Sequence, residues 1–299
     1  MKKINILLLL FLCAAQLLNA QERASEIRNK LLSRDQSSVM VVAHRGDWRN
    51  ASENSLVAID NAIRMGVDIV EIDVQRTKDG HIILMHDKKL DRTTTGKGLV
   101  SEWTLDSIRT LKLKNGCAIK TKENIPTLEE ALLHAKGKIM LNLDKADRFF
   151  EEIYELMEKT GTTKQIIMKG SQSPQEVKEK FGKYLKDVIY MPVVDLDKKN
   201  AAKDIKVFVE DMNPTAFELV YSDDSNPLPK EMATYLNGKA LIWYNTLWDT
   251  LCGGHDDDMA LDDRDAAYGY LIDTLDARII QTDRPAYLIE YLKEKGLHD

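Results

Sequence analysis

Apolar and polar positions along the chain fall into two alternating periods. Val39-Met40-Val41-Val42-Ala43 is a short apolar run of strand length. Residues 54–65 then carry Leu56, Ile59 and Ile63 at helical spacing, and Gly66 ends the run. From Ile69 to Gln75 apolar and polar residues alternate, which predicts a half-buried strand with Glu71 and Asp73 on one face and Ile72 and Val74 on the other. Lys78-Asp79-Gly80 has the Asp-Gly signal of a tight turn. The apolar run His81 to Met85 completes a hairpin and brings His86 roughly opposite Glu71. From Lys88 to Ile125 the pattern is irregular, with one short helical piece at Leu105 to Leu111, and is read as an insertion.

Beyond the insertion the alternation is regular. Thr127 caps a helix. Strands follow at Lys138 to Leu143, Lys164 to Met168, Val188 to Met191, Thr215 to Leu219, Ala240 to Tyr244 and Arg278 to Gln281. Helical stretches separate them at Arg148 to Lys159, Pro174 to Lys183, Lys198 to Asp211, Pro229 to Leu236 and Asp265 to Thr274, and Pro285 to Lys293 closes the chain. Strict alternation of strand and helix requires a parallel sheet. Eight such units in about 250 residues is the size of a TIM (β/α)8 barrel. The expected fold is therefore an α/β barrel with a hairpin and a small insertion (about 88–125) after the second strand. A doubly wound open sheet is the alternative, but the chain has no Gly-rich phosphate loop after its first strand. The barrel also accounts for where polar residues fall. His44, Asp73, Asp144, Lys169, Glu218 and Asn245 all end predicted strands, and active sites of these barrels lie at the C-terminal strand ends.

Composition narrows the setting. Met1-Lys2-Lys3 followed by the apolar run Ile6 to Leu18, with Asn19-Ala20 before Gln21, has the form of a secretory signal peptide over residues 1–20. The apolar run is shorter than the span of about 20 residues that a bilayer needs. Cys13 raises lipid attachment, but Leu10-Phe11-Leu12 suits that motif poorly, so export to the periplasm or medium is preferred. Residues 21–299 then form a single domain. Cys117 and Cys252 are far apart, and nothing requires them to pair. The net charge of −6 argues against a nucleic-acid partner, and no later run is long and apolar enough to span a membrane.

The stretch from His44 to His86 concentrates the candidate chemistry. Two carboxylates one pleat apart repel, and a hard divalent cation between them removes that cost. A histidine at each end of the stretch supplies an acid and a base near neutral pH. Each piece has an ordinary alternative: a strand-end histidine is commonly structural, Glu-x-Asp is commonly a solvated edge, and Asp79-Gly80 is a turn.

The order of the pieces is more specific than any one of them. His44-Arg45-Gly46, Glu53-Asn54 before a helix, Glu71-Ile72-Asp73, Thr77-Lys78-Asp79-Gly80, His86-Asp87 and the loop Asp91-Arg92-Thr93-Thr94-Thr95-Gly96-Lys97-Gly98 together resemble the glycerophosphodiester phosphodiesterase family. The resemblance runs over residues 39–290 and is strongest over 44–98. It implies metal-dependent hydrolysis of glycerophosphodiesters to glycerol 3-phosphate and an alcohol. His44 and His86 would be the catalytic pair. Glu71, Asp73 and Asp144 would hold a divalent cation, calcium or magnesium, and Arg45 would clamp the phosphate, with a structural ion pair the alternative for Arg45.

The chain departs from the family pattern at the third carboxylate. Asp144 stands where a Glu is usual, and the lysine expected two residues later is replaced by Ala146. Lys169, ending the next strand, is a candidate substitute, with a solvated lysine the alternative. Trp243 is a candidate pocket wall, although core packing suits it better. Asp256-Asp257-Asp258 suggests either a second cation site or, preferably, a solvated acidic loop, and Asp283 braces the last turn. Related chemistry on the same barrel stays open: phospholipase D-like or phospholipase C-like cleavage of a phospholipid or sphingolipid. So does a binding barrel without catalysis, although neither histidine nor any of the carboxylates is missing.

Overall fold

The computed structural model describes residues 23–299; the leader expected over residues 1–20, with Cys13, lies outside them. Nine strands occur among the described residues: β1 (Met40–Ala43), β2 (Ile69–Arg76), β3 (Ile82–Leu84), β4 (Met140–Asp144), β5 (Ile166–Gly170), β6 (Ile189–Asp195), β7 (Ala216–Val220), β8 (Leu241–Asn245) and β9 (Ala277–Thr282). All pair in parallel with their neighbours except β3, which runs antiparallel to β2. Because β1 pairs with both β9 and β2, eight parallel strands close into a TIM barrel. The hairpin arm β3 hangs outside the ring with the register Val74↔Leu84. Continued upward, that register carries His86 toward Ile72 rather than Glu71, one residue from the sequence expectation.

The pleat sorts each strand into two faces. Val39, Val41 and Ala43 of the first apolar run join the large core between barrel and helices, whereas Met40 and Val42 join a separate cluster inside the barrel. The interior cluster also takes Ile69, Met140, Ile167, Ala216, Leu241, Trp243 and Ile279. Two residues on, the same inward faces carry Glu71, Asn142, Lys169, Glu218, Asn245 and Gln281, all buried. The interior is thus apolar at its base and polar toward the C-terminal mouth. A buried charge needs a partner to avoid a penalty of several kcal/mol, so this gradient marks the end where chemistry is held.

The base is closed by a helix over residues 23–33, which the sequence reading passed over. Its Ile27 and Leu31 seat in the interior cluster. Arg23 and Arg28 donate to the carbonyls of Gly66 and Lys164 on turns at that end. The insertion has a small core of its own, built from Ile83, Met85, Leu90, Val100, Ile108, Leu111, Leu113 and Ile125. Helix starts follow local rules: Ser55 caps Leu56–Met65, and capping boxes Thr127/Glu130 and Ser173/Glu176 open two later helices. Cys117 is exposed, Cys252 is buried, and both are free. No helix among the described residues is long and apolar enough to cross a membrane.

Candidate active site

The turn after β1 sets the first part of the site. Arg45 and Gly46 both take left-handed backbone conformations, at φ 52 and 74°. A side chain on Gly46 would come within 2.7 Å of the Ala58 Cβ, so this close approach to the following helix requires glycine. The tight turn points the Arg45 backbone N–H at Glu71 Oε2, 3.0 Å away. Asn54, also left-handed, locks onto β2: its amide donates to Asp73 Oδ2 at 3.0 Å and its carbonyl accepts from the Asp73 N–H at 2.9 Å.

Parallel register sets the second part. Asp73 pairs with Asp144 across β2 and β4. Together with Glu71, on the same inward face, they bring one carboxylate oxygen each within 4.8 Å of one another. Glu71 and Asp73 are buried, and Asp144 is half-buried at the mouth. Burial, then the adjacent Asp73 charge, push the Glu71 carboxyl well above its ordinary range, against the pull of Lys169. Burial also opposes ionisation of Asp144, but Lys169 and Lys145 outweigh it and hold its carboxyl at about 2. Three hard oxygen donors around one point, with repulsion still unrelieved at Glu71, fit a divalent cation.

Lys145 corrects the reading that no inward lysine follows the third carboxylate. It adopts φ 60°, which turns its ammonium back into the mouth, 2.6 Å from Asp73 Oδ1 and 3.3 Å from Asp144 Oδ2. Lys169 lies deeper, 3.1 Å from Glu218 Oε2 and 3.7 Å from Asp144 Oδ1. Burial works against its charge, yet Glu218, Asp144 and Glu71 raise its pKa above the usual lysine range. Glu218 also accepts from Asn245 at 2.8 Å. Trp243 has no exposed surface; it is a core residue inside the barrel that donates to Asn245, not a pocket wall.

Both histidines are held through Nδ1 by carboxylates. His44 meets Asp283 at 2.8 Å, and the Trp48 indole N–H donates to the same oxygen at 2.6 Å. Burial raises the Asp283 carboxyl, but the His44 and Trp48 bonds bring it below the usual range. His86 meets Asp87 at 2.7 Å and its Nε2 lies 4.0 Å from Asp73 Oδ1. Arg92 bonds Asp87 and Glu53 through two contacts each, and Glu53 in turn accepts from Arg45. The Arg92 hydrogen bonds keep Asp87 ionised well below the usual carboxylate range, despite some burial. A carboxylate only accepts, so each imidazole presents its N–H at Nδ1 and leaves Nε2 for other work. Arg45 is ion-paired with Glu53 and with Asp73, but its buried Nε, 3.5 Å from Asp73 Oδ2, makes no hydrogen bond.

Residues 44–227 match the glycerophosphoryl diester phosphodiesterase family, and residues 190–292 match a family described as a domain of unknown function. A glycerophosphodiester phosphodiesterase of Caldanaerobacter subterraneus subsp. tengcongensis is 47% identical over 94 residues, 30% of this chain and 38% of that protein. A putative glycerophosphodiester phosphodiesterase of Bacillus subtilis is 32% identical over 182 residues, 58% of this chain and 74% of that protein. Among solved structures, a glycerophosphoryl diester phosphodiesterase from Parabacteroides distasonis superposes with a TM-score of 0.75 at 23% identity, covering 91% of this chain and 92% of that one. A phosphodiesterase from Oleispira antarctica, in complex with the product sn-glycerol-3-phosphate, superposes with a TM-score of 0.63 at 19% identity over 86% and 97%. These two structural likenesses speak for the shared barrel. Membership rests on the sequence match, which starts at the histidine just after β1 and covers more than half of the residues: the chain belongs to the glycerophosphoryl diester phosphodiesterase family.

Proposed function

We propose that this protein hydrolyses glycerophosphodiesters to glycerol 3-phosphate and an alcohol, with His44 and His86 as the acid–base pair. The observation that carries the reading is the mouth itself: three carboxylates converge within 4.8 Å, the carboxylate-braced His86 reaches to 4.0 Å of Asp73 through Nε2, and the carboxylate-braced His44 adjoins the Arg45 turn that bonds Glu71. The named activities of the relatives, and the glycerol 3-phosphate bound in the Oleispira structure, support the same substrate class.

The family is divalent-metal dependent, and Glu71, Asp73 and Asp144 are the residues that would hold the ion. Their all-oxygen donor set suits calcium or magnesium, and it leaves the histidines free for proton transfer. A bound divalent cation supplies charge neutralisation at the phosphoryl oxygens. The protein's own groups do the rest. The Arg45 guanidinium and the Lys145 ammonium orient the anionic diester. Asp283 and Asp87 hold the two imidazoles through Nδ1 and leave both Nε2 atoms available, that of His86 4.0 Å from Asp73. One imidazole takes the proton of the attacking oxygen, and the other protonates the departing alcohol, which otherwise leaves poorly. The basic start and apolar run of residues 1–20 support export, so the activity belongs in the periplasm or the medium.

The test is to incubate purified protein and divalent metal with glycerophosphocholine, sphingomyelin and phosphatidylinositol. Glycerol 3-phosphate and choline are expected from the first. Turnover confined to either lipid would replace this reading with phospholipase chemistry.

A further inference from the structure

Behind the His44–Asp283 pair lies a second carboxylate. Its run of three acids suggests a solvated loop, but Asp257 is buried, with 2% of its surface exposed. Its Oδ1 accepts from three hydroxyls: Thr246 at 2.6 Å, Thr282 at 2.7 Å and Tyr268 at 2.9 Å. Its Oδ2 accepts the backbone N–H of Asp283 at 2.7 Å. The loop that delivers Asp257 is tied at both ends. The Asp257 N–H donates to the Thr246 carbonyl, and the Thr246 N–H donates to the Gln281 carbonyl. The strand so clasped also accepts the His44 N–H through the Thr282 carbonyl.

Burying a carboxylate is costly, and burial does push the Asp257 carboxyl upward. A loop brace alone needs no buried acid, since a neutral amide or hydroxyl serves. This one collects donors from the residue after β8, the end of β9 and the intervening helical segment, and aims its second oxygen at the residue that holds His44. We propose that Asp257 is a positioning residue for His44, acting through Asp283. It holds the Asp283 backbone, so that the Asp283 carboxylate meets His44 Nδ1 and Trp48 and fixes the ring with Nε2 left over. The clasp lies wholly within residues 190–292, so this is also a role for the stretch that matches a domain of unknown function.

The proposal rests on the acid–base role given to His44, and two readouts separate them. In the first, kcat and KM for glycerophosphocholine are measured against pH for wild type, Asp257→Ala, Asp283→Ala and the double variant. Asp257→Ala is expected to lower kcat by about 10- to 100-fold with KM little changed and to shift one limb of the pH profile. In the Asp283→Ala background it should add no further loss, because both act on one imidazole. In the second, the His44 imidazole is titrated by NMR without substrate, and its midpoint should move in Asp257→Ala. Should that variant fail to fold, Asp257→Asn retains the shape while placing an amide against the Asp283 N–H or the hydroxyls, and a smaller shift in the same direction is expected. An unmoved His44 titration in a folded variant, or losses that multiply in the double variant, would overturn the proposal. An inactive wild type would instead sink the proposed function, and the titration would still decide the role of Asp257.

Discussion

His86→Ala is expected to lower kcat by about 100-fold or more while leaving the protein folded, since removal of a general acid or base typically has this effect. The geometry keeps stability separate from catalysis at this position. The His86 side chain is partly exposed, and its partner Asp87 keeps two bonds to Arg92 after the imidazole is gone. No buried charge is stranded. His44→Ala should give a loss of the same order. Asp283, more deeply buried, would keep Trp48 as a donor, so some loss of stability accompanies the loss of rate. Thermal melting and steady-state rates on a soluble diester check both halves. A folded variant of either histidine with near-wild-type turnover would remove that residue from the acid–base pair.

The second large effect concerns the three carboxylates. A chelator is expected to abolish turnover, and calcium or magnesium to restore it. Asp144→Asn should weaken metal affinity and activity by about 10- to 100-fold, with partial recovery at high metal concentration. Asp144 is the member to test because Glu71 and Asp73 are needed for more than binding. Glu71 accepts from the Arg45 turn, and Asp73 anchors Asn54 and Lys145. Asp144 is partly exposed and pairs with Lys145 and Lys169 at the mouth. In Asp144→Glu the ligand chemistry survives and only the reach changes, so activity should fall less than in Asp144→Asn. Full activity of the chelated enzyme would remove the metal from the mechanism.

Much of this site was legible because a strand repeats every two residues. Once Ile69 and Met140 are placed inward, Glu71, Asp73, Asn142 and Asp144 must follow, and strict alternation leaves little choice but a barrel. What escaped notice depends on conformation or on distant partners. Nothing in Asp144-Lys145-Ala146 announces that Lys145 takes a left-handed conformation, yet that single φ supplies the cation that seemed missing. Asp257 sits in a run of three acids, the pattern of a solvated loop. Its hydroxyl partners are 11, 11 and 25 residues away, so only the closed barrel brings them together. Trp243 does pack in the core, the role preferred for it from sequence: it shares the inward face of Asn245 but lies one pleat deeper. The helix over residues 23–33 does carry a signal, since Ala24, Ile27 and Leu31 are spaced by three and four, but the signal is short and directly follows the apolar leader.

The metal position can be seen by anomalous diffraction from crystals grown with manganese as a stand-in for the native ion. One strong peak is expected between the carboxylates of Glu71, Asp73 and Asp144, with the Nε2 atoms of His44 and His86 facing it and not bonded to it. A peak bound by either histidine, or no peak at the three carboxylates while one forms elsewhere in the barrel mouth, would contradict the assignment.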